Sequence, residues 1–285
     1  RGLGITLVGD MPLYVAGDSA DVWAHPEWFT VGEDGRPTLV AGVPPDYFSE
    51  DGQLWGNPLY RWNEMASSGY AWWVERLRRT LAFCDVARID HFRGLEKYWA
   101  VPAGETTAKN GEWLPGPGAE LLRSLRDGMD ALPCLAEDLG VITREVRLLK
   151  EQFQLPGMEV LQFTRPRRAD AVLYTGTHDN ATLLGWYLAA EPYTKALCRE
   201  LGVIHGRTAP VQAVEVLLEY AYAAANTWVI TPFADLTKLG ETARFNRPGT
   251  VSDENWSWRI PSDVLKLQVQ LAEEVRARTQ KANRC

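Results

Sequence analysis

Residues 85–94 read DVARIDHFRG, and this stretch decides the fold. Val86, Ala87 and Ile89 form a short apolar run that ends on an acid, Asp90. The two-residue period of a strand puts Arg88 and Asp90 on one face, so a guanidinium can hold the carboxylate ionised and aim it. Just upstream, YAWWVERLRRTLAF (70–83) carries leucines and aromatics at three- and four-residue spacing, which predicts a helix feeding the strand. Further out the same alternation recurs. ITLVGD (5–10), LPCLAED (132–138), MEVLQF (158–163), AVLYTGTHD (171–179) and TWVITP (227–232) read as strands. AELLRSLRDGM (119–129), TREVRLLKEQF (143–153), TLLGWYLAA (182–190) and VQAVEVLLEYAYAA (211–224) read as helices. A βα series implies a parallel sheet. A last helix, SDVLKLQVQLAEEVRART (262–279), is expected to open at a capping serine, Ser262.

Three motifs, RIDHFRG (88–94), LAEDLG (135–140) and THDN (177–180), each set a carboxylate where such a strand would end. The C-terminal ends of barrel strands are where (β/α)8 enzymes carry their chemistry, and three acids in one mouth point to glycoside chemistry. Six strands are legible, against the eight of a closed barrel, and the first residue is Arg1 rather than methionine. The expectation is therefore an α/β chain, a (β/α)8 TIM barrel lacking its first two β/α units, as one domain over 1–285. An open six-stranded sheet is the alternative. Two insertions rich in Pro, Gly, Trp and Tyr, 16–65 and 95–117, read as long loops whose aromatic content favours a functional role around the mouth. No fixed-period repeat, low-complexity tract or convincing linker divides the chain.

At 285 residues and 46% hydrophobic, the chain can bury a large core. Its net charge of -7, with both signs interspersed and no basic cluster, argues against nucleic acid or an anionic membrane as partner and favours a neutral ligand. No apolar run approaches the roughly 20 residues of a membrane span, and no leader is visible. Cys84, Cys134, Cys198 and Cys285 lie far apart without metal-ligand spacing, so reduced thiols and an intracellular home are expected.

The motifs taken together closely resemble the 4-α-glucanotransferases, also called amylomaltases or disproportionating enzymes, which are relatives of the α-amylases. The resemblance rests on GDMPLYV (9–15), GVPPDYFSEDGQLWGNPLY (42–60), RIDHFRG, LAEDLG, YTGTHDN (174–180), ARFNRPGT (243–250) and NWSWR (255–259), in family order over nearly the whole chain. It implies retaining transfer of α-1,4-glucan segments between maltooligosaccharides, with glucose as an acceptor and without metal or organic cofactor. It implies Asp90 as nucleophile, Glu137 as general acid/base and Asp179 as the third carboxylate, which grips ring hydroxyls. It also implies Asp10, Tyr47, Phe48, Trp55, Arg88, His178 and Asn246 as substrate-binding residues. A cytoplasmic location follows, with a plastid equally compatible.

The residues themselves support these roles unequally. For Asp90, Arg88 supplies a charge partner; the alternative is a structural ion pair at a strand end. Glu137 and Asp138 are adjacent, so strand alternation points them to opposite faces without saying which faces a ligand; only the resemblance selects Glu137. Leu135, Ala136 and Leu139 around it are compatible with the raised pKa that a general acid needs. For Asp179 the alternative is an ordinary N-cap of the helix that begins with TLLGWY, and both roles can hold together. Trp55, Tyr47 and Phe48 lie in a loop too polar to be mostly core, whereas Trp72 and Trp73, on a helix, read as core. His25 and His205 read as structural, and His91 as a support for its neighbour Asp90. The chain departs from the family where ADLTKLG (234–240) replaces a Gln-Asp-Leu-Leu-Gly-Leu-Gly run, and where Ala181 follows THDN in place of a common acid. An α-1,4-glucan hydrolase, or an inactive glucan-binding fragment, are the competing functional readings.

Overall fold

A computed structural model describes residues 2–45 and 49–284. The chain divides into two compact units, Arg1–Gly157 and Met158–Cys285. The strands in chain order are β1 (Val8–Met11), β2 (Leu39–Val43), β3 (Gln53–Pro58), β4 (Val86–Ile89), β5 (Lys97–Pro102), β6 (Glu112–Pro115), β7 (Cys134–Ala136), β8 (Gly157–Val160), β9 (Ala171–Tyr174) and β10 (Trp228–Ile230). All six stretches read as core strands are strands, each shorter than its apolar run.

In the first unit, β1, β4 and β7 form a parallel sheet in that order. Its register sets Asp10 opposite Arg88 and Ile89 opposite Ala136, so the chain leaves all three strands at the same end. Helices supply the crossovers that parallel strands require. Gly118–Asp127 forms because Leu121, Leu122 and Leu125 fall on one face and are fully buried, while Arg123 and Arg126 fall outside it. Truncating one of these leucines to alanine would cost about 2–5 kcal/mol. Arg144–Gln152 begins at Thr143, whose side chain accepts from the Val146 amide at 3.3 Å. Ala71–Phe83 turns Trp73 and Leu77 inward, with Trp72 partly buried against the same core.

The two insertions are not simply loops. β2 and β3 from the first and β5 and β6 from the second make an antiparallel sheet in the order β3-β2-β5-β6, with Ala41 opposite Ala100. This pairing joins segments distant in sequence, and the Gly and Pro residues in and around the strands read as loop signals.

In the second unit the sheet order is β10-β9-β8, with β9 and β10 parallel. Helices Leu183–Ala189, Pro192–Glu200 and Pro210–Tyr222 close a core around Leu161, Leu173, Leu197 and Leu217. Pro192–Glu200 escaped the sequence reading, although Pro192 at its first position and inward Leu197 and Cys198 are ordinary start and face signals. The final helix is two pieces, Ser262–Leu265 and Gln268–Lys281. Ser262 does not cap it: Pro261 holds the cap position, and no side chain satisfies the first amides. The longer piece is fastened to Pro210–Tyr222 by ion pairs of Arg278 with Glu215 and of Lys281 with Glu219, and Lys238 bridges Glu215 at 2.6 Å and Glu274 at 3.1 Å. Among the described residues no helix is long and apolar enough to cross a membrane. Cys84, Cys134 and Cys198 are buried.

Candidate active site

The first unit gathers its charged groups where β1, β4 and β7 end. Because Asp10 stands opposite Arg88, and Asp90 lies two residues beyond Arg88 on the same strand face, one guanidinium reaches both acids. Its Nη1 lies 2.7 Å from Asp10 Oδ1 and its Nη2 2.8 Å from Asp90 Oδ1. The Arg88 side chain is only 11% exposed, so the pairing is largely shielded from water. Burial opposes its charge, and Asp90, Asp10 and Glu137 together outweigh burial and push its pKa upward. A fork held at two points fixes the direction of the Asp90 carboxylate, which keeps 40% of its surface open.

Glu137 follows β7 directly, and its amide donates to the Ile89 carbonyl at 3.0 Å, which holds it against the end of β4. The Leu139 amide donates to its Oε1 at 3.0 Å. Burial, and then the negative charge of Asp90, raise its pKa to about 7; Arg88 and the backbone amides of Leu139 and His91 pull the other way. The carboxyl group can therefore hold or release a proton near neutrality. Asp138 is turned to the opposite side, where its Oδ2 accepts from Lys150 Nζ at 2.9 Å, with the two side chains 3% and 5% exposed. That buried pair belongs to the framework.

After Asp90 the chain enters the left-handed region at His91, with φ 48°, and then turns through Phe92–Leu95. The His91 ring is buried; burial and then the charge of Arg93 lower its pKa to about 4, so it is neutral at physiological pH. Trp55 meets it edge to face at 4.8 Å and 87°, and Tyr14 lies 6.4 Å away. Gly94 makes room for this ring, because a Cβ there would stand 2.9 Å from His91 Cδ2 and 2.4 Å from Leu13 Cδ2. Trp55 thus lies beside the residue that follows Asp90; the residue is 38% exposed, and its Nε1 donates to Gln53 Oε1 at 3.1 Å. Tyr47 and Phe48 lie outside the described residues.

In the second unit the THDN segment follows β9. Asn246 Nδ2 donates to Asp179 Oδ1 at 2.7 Å, and His178 Nε2 lies 3.5 Å from Asp179 Oδ2. The Asn246 amide donates to the His178 carbonyl at 3.1 Å, which ties the two loops together. Asp179 does not cap the following helix. Thr182 does, accepting from the Gly185 amide at 3.1 Å, and this leaves the Asp179 carboxylate 44% exposed.

Two residues that sequence reasoning missed hold this arrangement. Arg244 donates to the Asp179 carbonyl at 2.8 Å, to the Asn246 carbonyl at 2.9 Å and to Glu241 Oε1 at 3.0 Å. Asp235, buried in the ADLTKLG departure, accepts from Thr175 Oγ1 and from the Leu183 amide, both at 2.7 Å, and so fastens both ends of the loop. Burial raises its pKa to about 6 against those two hydrogen bonds. An acid in the otherwise apolar run PFADL was the available signal for Asp235. Arg244 stood inside a quoted motif with nothing local to mark its role.

Comparison with known proteins bears on what such a set of groups belongs to. A family model described as 4-alpha-glucanotransferase matches residues 1–266. This chain belongs to the 4-alpha-glucanotransferase family. A 4-alpha-glucanotransferase of Thermus thermophilus is 46% identical over 275 residues, covering 91% of this chain and 55% of that protein. The chloroplastic/amyloplastic 4-alpha-glucanotransferase DPE1 of Arabidopsis thaliana is 42% identical, covering 93% of this chain and 47% of its own length. The chain thus spans about half the length of the curated relatives it matches. Among solved structures, amylomaltase from Streptococcus agalactiae in complex with acarbose superposes with a TM-score of 0.91 at 34% identity, over 99% of this chain and 58% of that one. Amylomaltase from Corynebacterium glutamicum, 21% identical with a TM-score of 0.77, shares the fold. The fold is α/β and related to that of the amylomaltases, in agreement with the sequence reading.

Proposed function

We propose that the protein carrying this chain is a 4-α-glucanotransferase that moves α-1,4-glucan segments between maltooligosaccharides, with glucose as one acceptor. The observation that carries the reading is the contrast between two acids at one sheet end. Asp90 is aimed by Arg88 at 2.8 Å, while Glu137 has a pKa raised to about 7. An aimed carboxylate beside an acid that can hold its proton near neutrality is what retaining glycoside chemistry requires.

In the first step the Asp90 carboxylate attacks the anomeric carbon as Glu137 gives its proton to the departing glycosidic oxygen. The C–O bond breaks, and a glycosyl ester forms on Asp90. In the second step Glu137, now a carboxylate, takes the proton of an incoming 4-hydroxyl, whose oxygen replaces Asp90 at the anomeric carbon. The family resemblance assigns ring hydroxyls to Asp179, which Asn246 and His178 steady within its own unit, and assigns substrate contacts to Arg88, Asp10 and Trp55. Tyr47 and Phe48 are carried into the same role by the family resemblance alone. The carboxylates suffice for these steps without a metal or organic cofactor. The proposed location is the cytoplasm, with a plastid compatible.

Incubation of the protein with maltotriose alone tests the reading. Transfer yields glucose together with oligosaccharides longer than the substrate. Glucose and maltose alone, with one new reducing end for each cleavage, would make it a hydrolase instead.

A further inference from the structure

The second unit holds a bulky residue in a backbone conformation that disfavours it. Trp256 sits at φ 62°, in the left-handed region where a Cβ crowds the following carbonyl and where large side chains are outliers. Such strain persists only where the surroundings impose it. Here they do. The Trp256 amide donates to the Phe245 carbonyl at 2.7 Å. Asn255 beside it donates to the Thr250 carbonyl at 3.0 Å and accepts from the Arg247 amide at 3.1 Å. Arg259 Nη1 gathers the carbonyls of Trp256, Ser257 and Trp258 at 3.4, 3.1 and 2.9 Å.

All this bracing holds out Trp256, a residue 55% exposed. Its ring stands 5.0 Å from the His178 ring, with Phe245 edge-on behind it at 6.2 Å and 70°. Phe245 in turn leans on Trp258 at 5.6 Å, so the aromatic group is backed rather than free to swing. The Asp179 carboxylate, the Asn246 amide and the His178 imidazole therefore share a neighbourhood with one exposed aromatic face. Carboxylate, amide and imidazole suit the hydroxyl rim of a pyranose. An aromatic plate suits its C–H face, from which water is released on contact.

The geometry points to Trp256 as a substrate-binding residue: its strained, braced indole forms an aromatic wall on which a glucosyl ring held by Asp179, Asn246 and His178 stacks. The inference rests on the reading of Asp179 as a glucan-binding carboxylate.

The probe is maltoheptaose, followed by calorimetric titration. Trp256→Gly should weaken binding about tenfold, the size of a lost aromatic contact. Its thermal midpoint should hold or rise, because glycine adopts φ 62° without strain. Trp256→Phe should bind within about threefold of the parent, because an aromatic face remains. In the unsubstituted protein, maltoheptaose should slow hydroxyl-radical oxidation of Trp256, read by peptide mass spectrometry. Trp23, 86% exposed in the first unit, should not be protected. Unchanged affinity in Trp256→Gly, or Trp256→Phe binding as poorly as the glycine variant, overturns the inference. So does undiminished oxidation of Trp256. Asp179→Asn separates the two claims: if it weakens binding while Trp256→Gly does not, the site reading stands and the aromatic wall falls. If the unsubstituted protein neither binds maltoheptaose nor protects Trp256, both fall.

Discussion

Replacing Glu137 by glutamine should make the protein more stable at alkaline pH and scarcely change it in acid. Glu137 carries a pKa near 7 in the fold against 4.5 in an unfolded chain, chiefly because it is buried and secondly because Asp90 stands near it. A folded pKa above the unfolded one means that the folded state binds more protons between the two values. Stability is therefore fully present below about pH 4.5 and is lost as pH rises through about 7. The displacement of about 2.5 pH units corresponds to about 3–4 kcal/mol. A glutamine side chain at this position cannot ionise, and its carbonyl oxygen can still accept from the Leu139 amide. Urea unfolding at a series of pH values would measure the difference. The glutamine variant should match the parent near pH 4.5 and exceed it by about 3–4 kcal/mol at about pH 8. A difference that is constant with pH, or a glutamine variant that is weaker under alkaline conditions, would refute the argument that Glu137 is held in a site that resists its charge.

Three further substitutions test the framework around the acids. Asp138→Asn should lower stability by about 3–5 kcal/mol in thermal or urea melts, because Lys150 is left buried and uncompensated, while each folded molecule keeps its turnover. Gly94→Ala should cost about 1–3 kcal/mol by the same measurement and displace His91, because the new methyl meets the buried Leu13 side chain and the ring of His91, a half-buried residue. Arg244→Met should speed amide exchange across residues 177–182 and leave exchange in Gly118–Asp127 unchanged, since its three donated hydrogen bonds all serve the Asp179 loop and its neighbour.

The sequence conveyed the parallel core well for a physical reason. β7 is buried at every residue and β4 at alternate ones, and the runs that contain them end on Asp90 and Asp138, so DVARID and LPCLAED announce themselves locally. The antiparallel sheet of the insertions was not legible, because β2 and β5 pair across a wide separation and lie among Gly and Pro residues that read as loop. The same limit operated at the site. Alternation separated Glu137 from Asp138 onto opposite faces. Which face carries the framework was decided by Lys150, a residue of the following helix whose approach no local pattern reveals. Asp179 looked like a helix cap until Thr182 took that position, and Ser262 looked like one until Pro261 did. Arg244 and Asp235 act wholly through contacts between distant segments, so their roles emerge only from the folded unit.

The central claim is that Asp90 becomes glycosylated and Glu137 governs the proton, and trapping the intermediate tests it most directly. An α-maltosyl fluoride donor needs little acid assistance to depart, whereas release of the sugar from the enzyme needs Glu137 as a base. In the Glu137→Gln protein the ester should therefore accumulate, and peptide mass spectrometry should find a maltosyl group on the segment containing Asp90. Absence of any adduct, or its attachment to Asp10 or Asp179 instead, would contradict the account.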